Sequence, residues 1–163
     1  MKTLRNILAL LLIVAAGLNS ADAQTAKKDK KATKEAAIKK NIDNRHYTFM
    51  ANYVLPQRGG ARQLTSEYDL RITKDSVISF LPYFGRAYFD VPYNATDGGI
   101  KFTSTKFDYK VTDRKKGGWE ITIKPTDVKN LNSLILYIST DGYASLSVTS
   151  SNRDFITFDG FLK

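Results

Sequence analysis

Leu134-Ile135-Leu136-Tyr137-Ile138-Ser139-Thr140-Asp141-Gly142-Tyr143-Ala144-Ser145-Leu146-Ser147-Val148-Thr149 is the stretch from which the fold can be read. Two strand-forming runs flank Asp141-Gly142, a dipeptide favoured in a type I′ hairpin turn because both central positions need positive φ. Towards the C-terminus, a further strand is expected over Phe155 to Phe161. Towards the N-terminus, strands are expected through Trp119-Ile121-Ile123, Phe107-Tyr109-Val111, Ile100-Phe102, Val77 to Leu81 and Tyr68-Leu70-Ile72, with Asp113 to Gly118 as a basic hairpin loop. Tyr47, Phe49, Ala51, Tyr53 and Leu55 alternate along one face of a first strand that Pro56 ends, and Gln57 to Ser66 reads as a loop. About ten short strands joined mostly by turns predict an all-β class: an antiparallel meander closing into a barrel, half-barrel or sandwich, with a short N-terminal helix.

Composition agrees. With 163 residues, 42% of them apolar, the chain can build one core without disulfides or metals, and 12% aromatics favour a pleated, half-buried surface. Cysteine is absent, which excludes disulfides, thiolate catalysis and a lipid-modified N-terminal cysteine. Lys2 and Arg5, the apolar run Ile7 to Leu18 and the small residues of Ala21-Asp22-Ala23 form a secretory signal over residues 1–23. The run is too short to span a bilayer, which takes ~20 residues. Cleavage near Ala23 and a periplasmic or secreted product are the expectations.

Residues 24–46 form a basic arm. Lys27, Lys28, Lys30, Lys31, Lys34, Lys39, Lys40 and Arg45 stand against Asp29, Glu35 and Asp43, so this arm accounts for most of the formal charge of +9. Thr33 is expected to N-cap a short helix, Glu35 and Lys39 to pair across one turn, and Ile38 and Ile42 to share a narrow apolar face. Lys27, Lys28, Lys30 and Lys31 are the residues expected to meet an anionic membrane surface weakly. Nucleic acid is not an expected partner, because no recognition-helix pattern is present and export removes the genome. The β domain is expected over residues 47–163.

Catalytic, metal and cofactor chemistry find little support. His46 is the only histidine and lies beside Arg45 at the end of the arm, where a catalytic triad would lack a rigid frame. With no cysteine and one histidine, zinc or copper would depend on carboxylates that suit them poorly. Asp108 and Glu120 alternate with apolar neighbours and are expected on the wet side of a sheet. Asn94 to Gly98 reads as a turn, and the paired glycines at 59–60 and 117–118 as loop residues without phosphate-cradle spacing. Neither a catalytic residue, a metal ligand nor a cofactor is assigned.

The remaining candidate is Leu81-Pro82-Tyr83-Phe84-Gly85-Arg86-Ala87-Tyr88-Phe89-Asp90-Val91-Pro92-Tyr93, with five aromatics and an arginine. Its alternation is too imperfect for one strand to bury every ring on one face. Either the rings cap the core, or Tyr83, Arg86, Tyr88 and Tyr93, joined by Arg153, form a ligand platform with Arg86 taking a carboxylate or hydroxyl.

The chain resembles an exported family of gut Bacteroidetes, domain-of-unknown-function family 4251. The resemblance covers Ile38 to Lys163 and rests on Leu81-Pro82-Tyr83-Phe84-Gly85-Arg86-Ala87-Tyr88, Gly99-Ile100-Lys101-Phe102, and Ser151-Asn152-Arg153-Asp154-Phe155-Ile156 with Gly160. It implies a signal-led, single-domain β protein without an assigned reaction or ligand. The expected function is a non-catalytic binding module for a small molecule, glycan or protein of the cell envelope. The alternatives are a structural or inhibitory protein-interaction domain, and a hydrolase of an envelope polymer working through two carboxylates.

Overall fold

The computed structural model describes residues 29–90 and 98–163. The expected leader with its cleavage site near Ala23, Lys27, Lys28, Tyr93 and most of the Asn94 to Gly98 turn lie outside the described residues. A helix, α1, covers residues 29–43. Nine strands follow: β1 (Tyr47–Pro56), β2 (Arg62–Ile72), β3 (Val77–Leu81), β4 (Ile100–Ser104), β5 (Phe107–Asp113), β6 (Trp119–Pro125), β7 (Leu131–Ile138), β8 (Tyr143–Ser150) and β9 (Ile156–Leu162).

All nine belong to one antiparallel sheet in the order β4-β3-β2-β1-β9-β8-β7-β6-β5. Eight antiparallel steps lead from β4 round to β5, so these two strands run in the same direction. Only Thr105 and Lys106 separate them. They are in effect one bent strand that pairs with β3 through its first part and β6 through its second. The meander is thereby a nearly closed barrel whose seam is this bend.

Asp127 holds the bend. Its carboxylate accepts hydrogen bonds from the Ser104 hydroxyl and from the backbone N–H groups of Thr105 (2.8 Å) and Lys106 (3.1 Å). The Ser104 hydroxyl first, then these amides, draw its pKa down to about 2.

The interior is filled. Phe49, Leu70, Leu81, Ile121, Leu136, Leu146 and Phe158 are fully buried in one cluster with their neighbours. Full burial of each such side chain favours folding by ~1.5–3 kcal/mol. Ile38 and Ile42 of α1 belong to this cluster, so the helix packs as part of the body. Beneath it the hydroxyls of Tyr47 and Tyr109 meet at 2.9 Å, and the Arg45 guanidinium lies 4.6 Å from the Tyr109 ring. Burial, then the neighbouring phenol, pushes the Tyr47 phenol far above its ordinary value.

Several local expectations need correction. Thr33 lies inside α1, its hydroxyl donating back to the Asp29 carbonyl, because the helix starts earlier than the cap reading allowed. Lys39 pairs with Asp43 at 3.1 Å rather than with Glu35. Strand β2 begins at Arg62, since Arg62 and Gln63 find partners in Val54 and Tyr53. The β7–β8 turn is not type I′: Gly142 (φ 81) has positive φ and Asp141 does not. The Gly142 N–H bonds to the Ser139 carbonyl and the Ser139 N–H to the Tyr143 carbonyl, a three-residue loop with glycine at its left-handed position.

The largest correction concerns β1. Its register slips between Ala51 and Tyr53 against both neighbours: against β9 Asn52 is the extra residue of a bulge, whereas against β2 residues 64–67 of that strand stand opposite it. Beyond the bulge the parity reverses, so Val54 points inward while Tyr53 and Leu55 point outward. Gly160 accommodates the close approach: a Cβ there would lie 1.8 Å from the Met50 carbonyl oxygen.

Candidate functional site

The sequence-predicted platform lies at the barrel end opposite α1, where the 81–90 segment crosses the 151–155 loop. The segments lock through their backbones. The Tyr88 N–H donates to the Asn152 carbonyl (2.8 Å) and the Asp154 N–H to the Arg86 carbonyl (2.9 Å), flanking an Ala87–Arg153 bridge. The Tyr83 hydroxyl lies 2.9 and 3.1 Å from the carbonyl oxygens of Arg86 and Asp154, sharing one proton between them. Gly85 lies beneath that hydroxyl, where a Cβ would come within 2.6 Å of it. The Leu-Pro-Tyr-Phe-Gly-Arg block thus has a structural cause: Tyr83 folds back over Gly85.

The structure brings Tyr83, Arg86, Tyr88 and Arg153 together, and most of their polar groups are already engaged. The Tyr88 hydroxyl donates to Asp154, which raises the phenol and lowers the carboxyl from their ordinary values. Burial is the main cause that raises the Tyr83 phenol. The Arg153 guanidinium rests 4.8 Å from the Tyr83 ring centre and donates to the Gly98 carbonyl at 3.1 Å. The Arg86 side chain remains exposed. Beside the lock, a small cleft of about 200 Å³ holds Asp90, paired with Lys129 and Asn130 at 2.8 Å each.

A second feature is a trough of about 530 Å³ on the outer wall of the sheet. Strand pairing defines it. Tyr137 of β7, Ser145 of β8, Asp159 of β9 and Tyr53 of β1 stand in register across neighbouring strands. Ser145 and Asp159 give a low polar floor, and the two tyrosines rise at its sides about 14 Å apart at the backbone. Tyr143 and Phe161, paired in the next row, form one end wall. Tyr143 is 72% exposed and Tyr53 47%, although rings of this size are usually covered. The Arg114 guanidinium, from the β5–β6 loop, lies 5.0 Å from the Tyr137 ring centre. The Asp159 carboxylate has no hydrogen bond or ion pair among the described residues.

Sequence reasoning misses this trough because alternation alone puts Tyr53 on the same face as Phe49 and Ala51, a grouping that the Asn52 bulge breaks. A signal was present: with Leu134, Leu136 and Ile138 inward on β7 and Ala144, Leu146 and Val148 inward on β8, Tyr137 and Tyr143 must point outward.

Among the described residues, no three histidine, cysteine, aspartate or glutamate side chains are grouped to hold a metal. Nine antiparallel strands in a nearly closed barrel, with one helix packed against the end, define a small all-β domain with a filled core. The chain belongs to the family described as a domain of unknown function (DUF4251), whose sequence profile matches residues 29–162, α1 included. Its fold is similar to the crystal structure of a DUF4251 family protein from Bacteroides eggerthii DSM 20697, with a TM-score of 0.57 and 17% sequence identity, over 80% of this chain and 87% of that one. No curated protein matches the chain.

Proposed function

We propose that the domain is a non-catalytic binding module of the cell envelope and that its ligand, a glycan, lies in the outer trough. The observation that carries this reading is the pairing of exposed aromatic walls with a floor of small polar groups. A sugar ring offers apolar C–H faces to Tyr53, Tyr143 and Phe161, while its hydroxyls meet Ser145, Asn52 and the unpartnered Asp159. A purely lipidic ligand would leave Asp159 buried without a partner, at a cost that a hydroxyl donor removes.

The ligand is placed here rather than on Tyr83, Arg86, Tyr88 and Arg153 because the hydroxyls of Tyr83 and Tyr88 and the Arg153 guanidinium already bond within the fold. The absence of catalysis is part of the proposal. Asp159 is the one carboxylate among the residues described as lining the trough. Glu120 shares its cross-strand row but stands three strands away, about 14 Å by strand spacing, against the ~5–9.5 Å that paired glycosidase carboxylates need.

The test is a glycan array followed by calorimetric titration of each glycan that binds. Tyr143→Ala and Tyr53→Ala should each weaken binding at least tenfold with no loss of folding, and Arg86→Ala should leave it unchanged. Retention of full affinity in both tyrosine variants would reject the site. A second reading, a protein-interaction domain, draws on the filled interior and on the outer edge of β5, which has no strand beyond it among the described residues. Binding of an extended peptide that protects the β5 amides from exchange, with no glycan bound, would favour that reading.

A further inference from the structure

The barrel end opposite α1 carries an excess of cations that the trough does not use. Arg58, in the β1–β2 loop, and Arg86 are exposed and make no ion pair among the described residues. Their charges both act on the Tyr88 phenol and the Asp154 carboxyl, which sets the two guanidiniums around that pair. Arg62, at the start of β2, lies 5.2 Å from the centre of the Phe84 ring in the same segment. Among the described residues of this end the acidic groups are spoken for. Asp154 is buried, accepting from Tyr88 and from the Arg86 N–H, and Asp90 is held by Lys129 and Asn130. Arg58, Arg62, Arg86, Arg153 and Lys129 outnumber the ionised Asp90 and Asp154, so these residues together are net positive.

The same end exposes apolar rings. Tyr88 is 62% exposed and Phe89 54%, both on the crossing segment, and Phe155 follows Asp154 on the opposing loop. Exposed rings beside arginines match an extended anionic interface better than a single small anion. At a lipid surface, aromatic rings settle at headgroup depth and guanidiniums meet the phosphates.

We infer that this end docks on a membrane surface rich in anionic lipid, through Arg58, Arg62 and Arg86 with Tyr88 and Phe89. The trough lies on the side wall, and its Tyr143–Phe161 wall adjoins the turn against which α1 packs, where Ile38 lies beside Gly142. A domain docked in this way keeps the trough clear of the bilayer. The inference differs from the expectation for Lys27, Lys28, Lys30 and Lys31, of which Lys30 and Lys31 begin α1 and Lys27 and Lys28 lie outside the described residues.

Co-sedimentation of the chain from Gln24 onward with vesicles provides the test. Binding is expected to vesicles of phosphatidylcholine mixed with phosphatidylglycerol and not to phosphatidylcholine alone. Arg58→Gln and Arg86→Gln should each weaken it about fivefold, and the triple variant with Arg62→Gln about a hundredfold, from the usual contribution of each basic residue near such a surface. Circular dichroism checks that each variant is folded, as expected for substitutions at the exposed Arg58 and Arg86. Phe89→Ser should weaken binding further at high salt, where the charge contribution is screened. Equal binding to neutral vesicles, no binding to either kind, or binding that survives the triple arginine variant but is lost when the four lysines become glutamine would each overturn the inference. Glycan binding by the triple variant should match the wild type, so the docking surface and the trough can fail separately.

Discussion

Gly160→Ala probes the contact on which both the bulge and the trough depend. The new Cβ would lie 1.8 Å from the Met50 carbonyl oxygen, 2.9 Å from its carbon and 3.1 Å from the Ala51 Cα. All three atoms are backbone, so no side-chain rotation relieves the clash. Strand β1 must retreat from β9 by more than 1 Å to reach the 3.0 Å below which real Cβ atoms are essentially never found. Opening the ladder around Met50–Phe161, Ala51–Gly160 and Tyr53–Asp159 loses about three hydrogen bonds at ~1 kcal/mol each. Alanine restricts the unfolded chain and returns ~0.4–1 kcal/mol. The net expectation is a loss of about 2–3 kcal/mol, or roughly 5–10 °C in Tm for a domain of this size. Urea denaturation followed by far-ultraviolet circular dichroism and by the fluorescence of buried Trp119 measures it. Gly60→Ala is the control, since its Cβ meets nothing within 4 Å, and it should be neutral or slightly stabilising. Wild-type stability in Gly160→Ala would refute the claim that β1 and β9 are held apart by nothing more than a hydrogen atom at this position.

Leu146→Ala, at a fully buried position of β8, should cost ~3–5 kcal/mol in the same denaturation assay, and a value under 1 kcal/mol would contradict a filled interior. Tyr83→Phe removes the hydroxyl shared by the Arg86 and Asp154 carbonyls and should cost about 1 kcal/mol, with faster amide exchange at Tyr88 and Asp154; unchanged exchange would show that the hydroxyl does not secure the lock. Asp127 has a folded pKa of about 2, below the ordinary 3.8, so its contribution to stability is complete above the ordinary value and is lost as pH falls through the folded one. Asp127→Asn should therefore be less stable than wild type at neutral pH, with a gap that narrows between about pH 4 and pH 2, and a gap independent of pH would reject the role given to the carboxylate.

The all-β meander was legible because the deciding signals are local. Alternation in 134–138 and 144–148 sets the inner face of one hairpin, and Ile38 with Ile42 marks the buried stripe of α1. What was not legible depends on partners distant in sequence. Nothing near Asn52 announces a bulge, because its cause is the missing side chain of Gly160 on the neighbouring strand. The start of β2 at Arg62 likewise follows from pairing with Val54, since Leu64 is the one apolar residue from Arg62 to Ser66 and no strand periodicity shows there. In the 81–90 segment, composition revealed an unusual cluster of rings, but the assignment of each phenol depended on Asp154, which lies 71 residues beyond Tyr83.

The filled interior explains why these distant contacts matter for function. A barrel of about eight strands is just wide enough for its own side chains, and here they occupy it, with α1 and the Tyr47–Tyr109 pair against one end. The proposed ligand is therefore one met on the outside, where an antiparallel strand ordinarily presents scattered polar residues. Two irregularities change that surface. The Asn52 bulge turns Tyr53 outward to face Tyr137 across small residues, and the 81–90 crossing lifts Tyr88, Phe89 and Arg86 out over the barrel end. In a regular strand Tyr53 would have been buried with Phe49, and a short β3–β4 turn would have left no crossing to display the rings. Both proposed surfaces are thus consequences of departures from ideal strand geometry, each resting on a glycine where a Cβ would clash: Gly160 with the Met50 backbone, and Gly85 with the Tyr83 side chain.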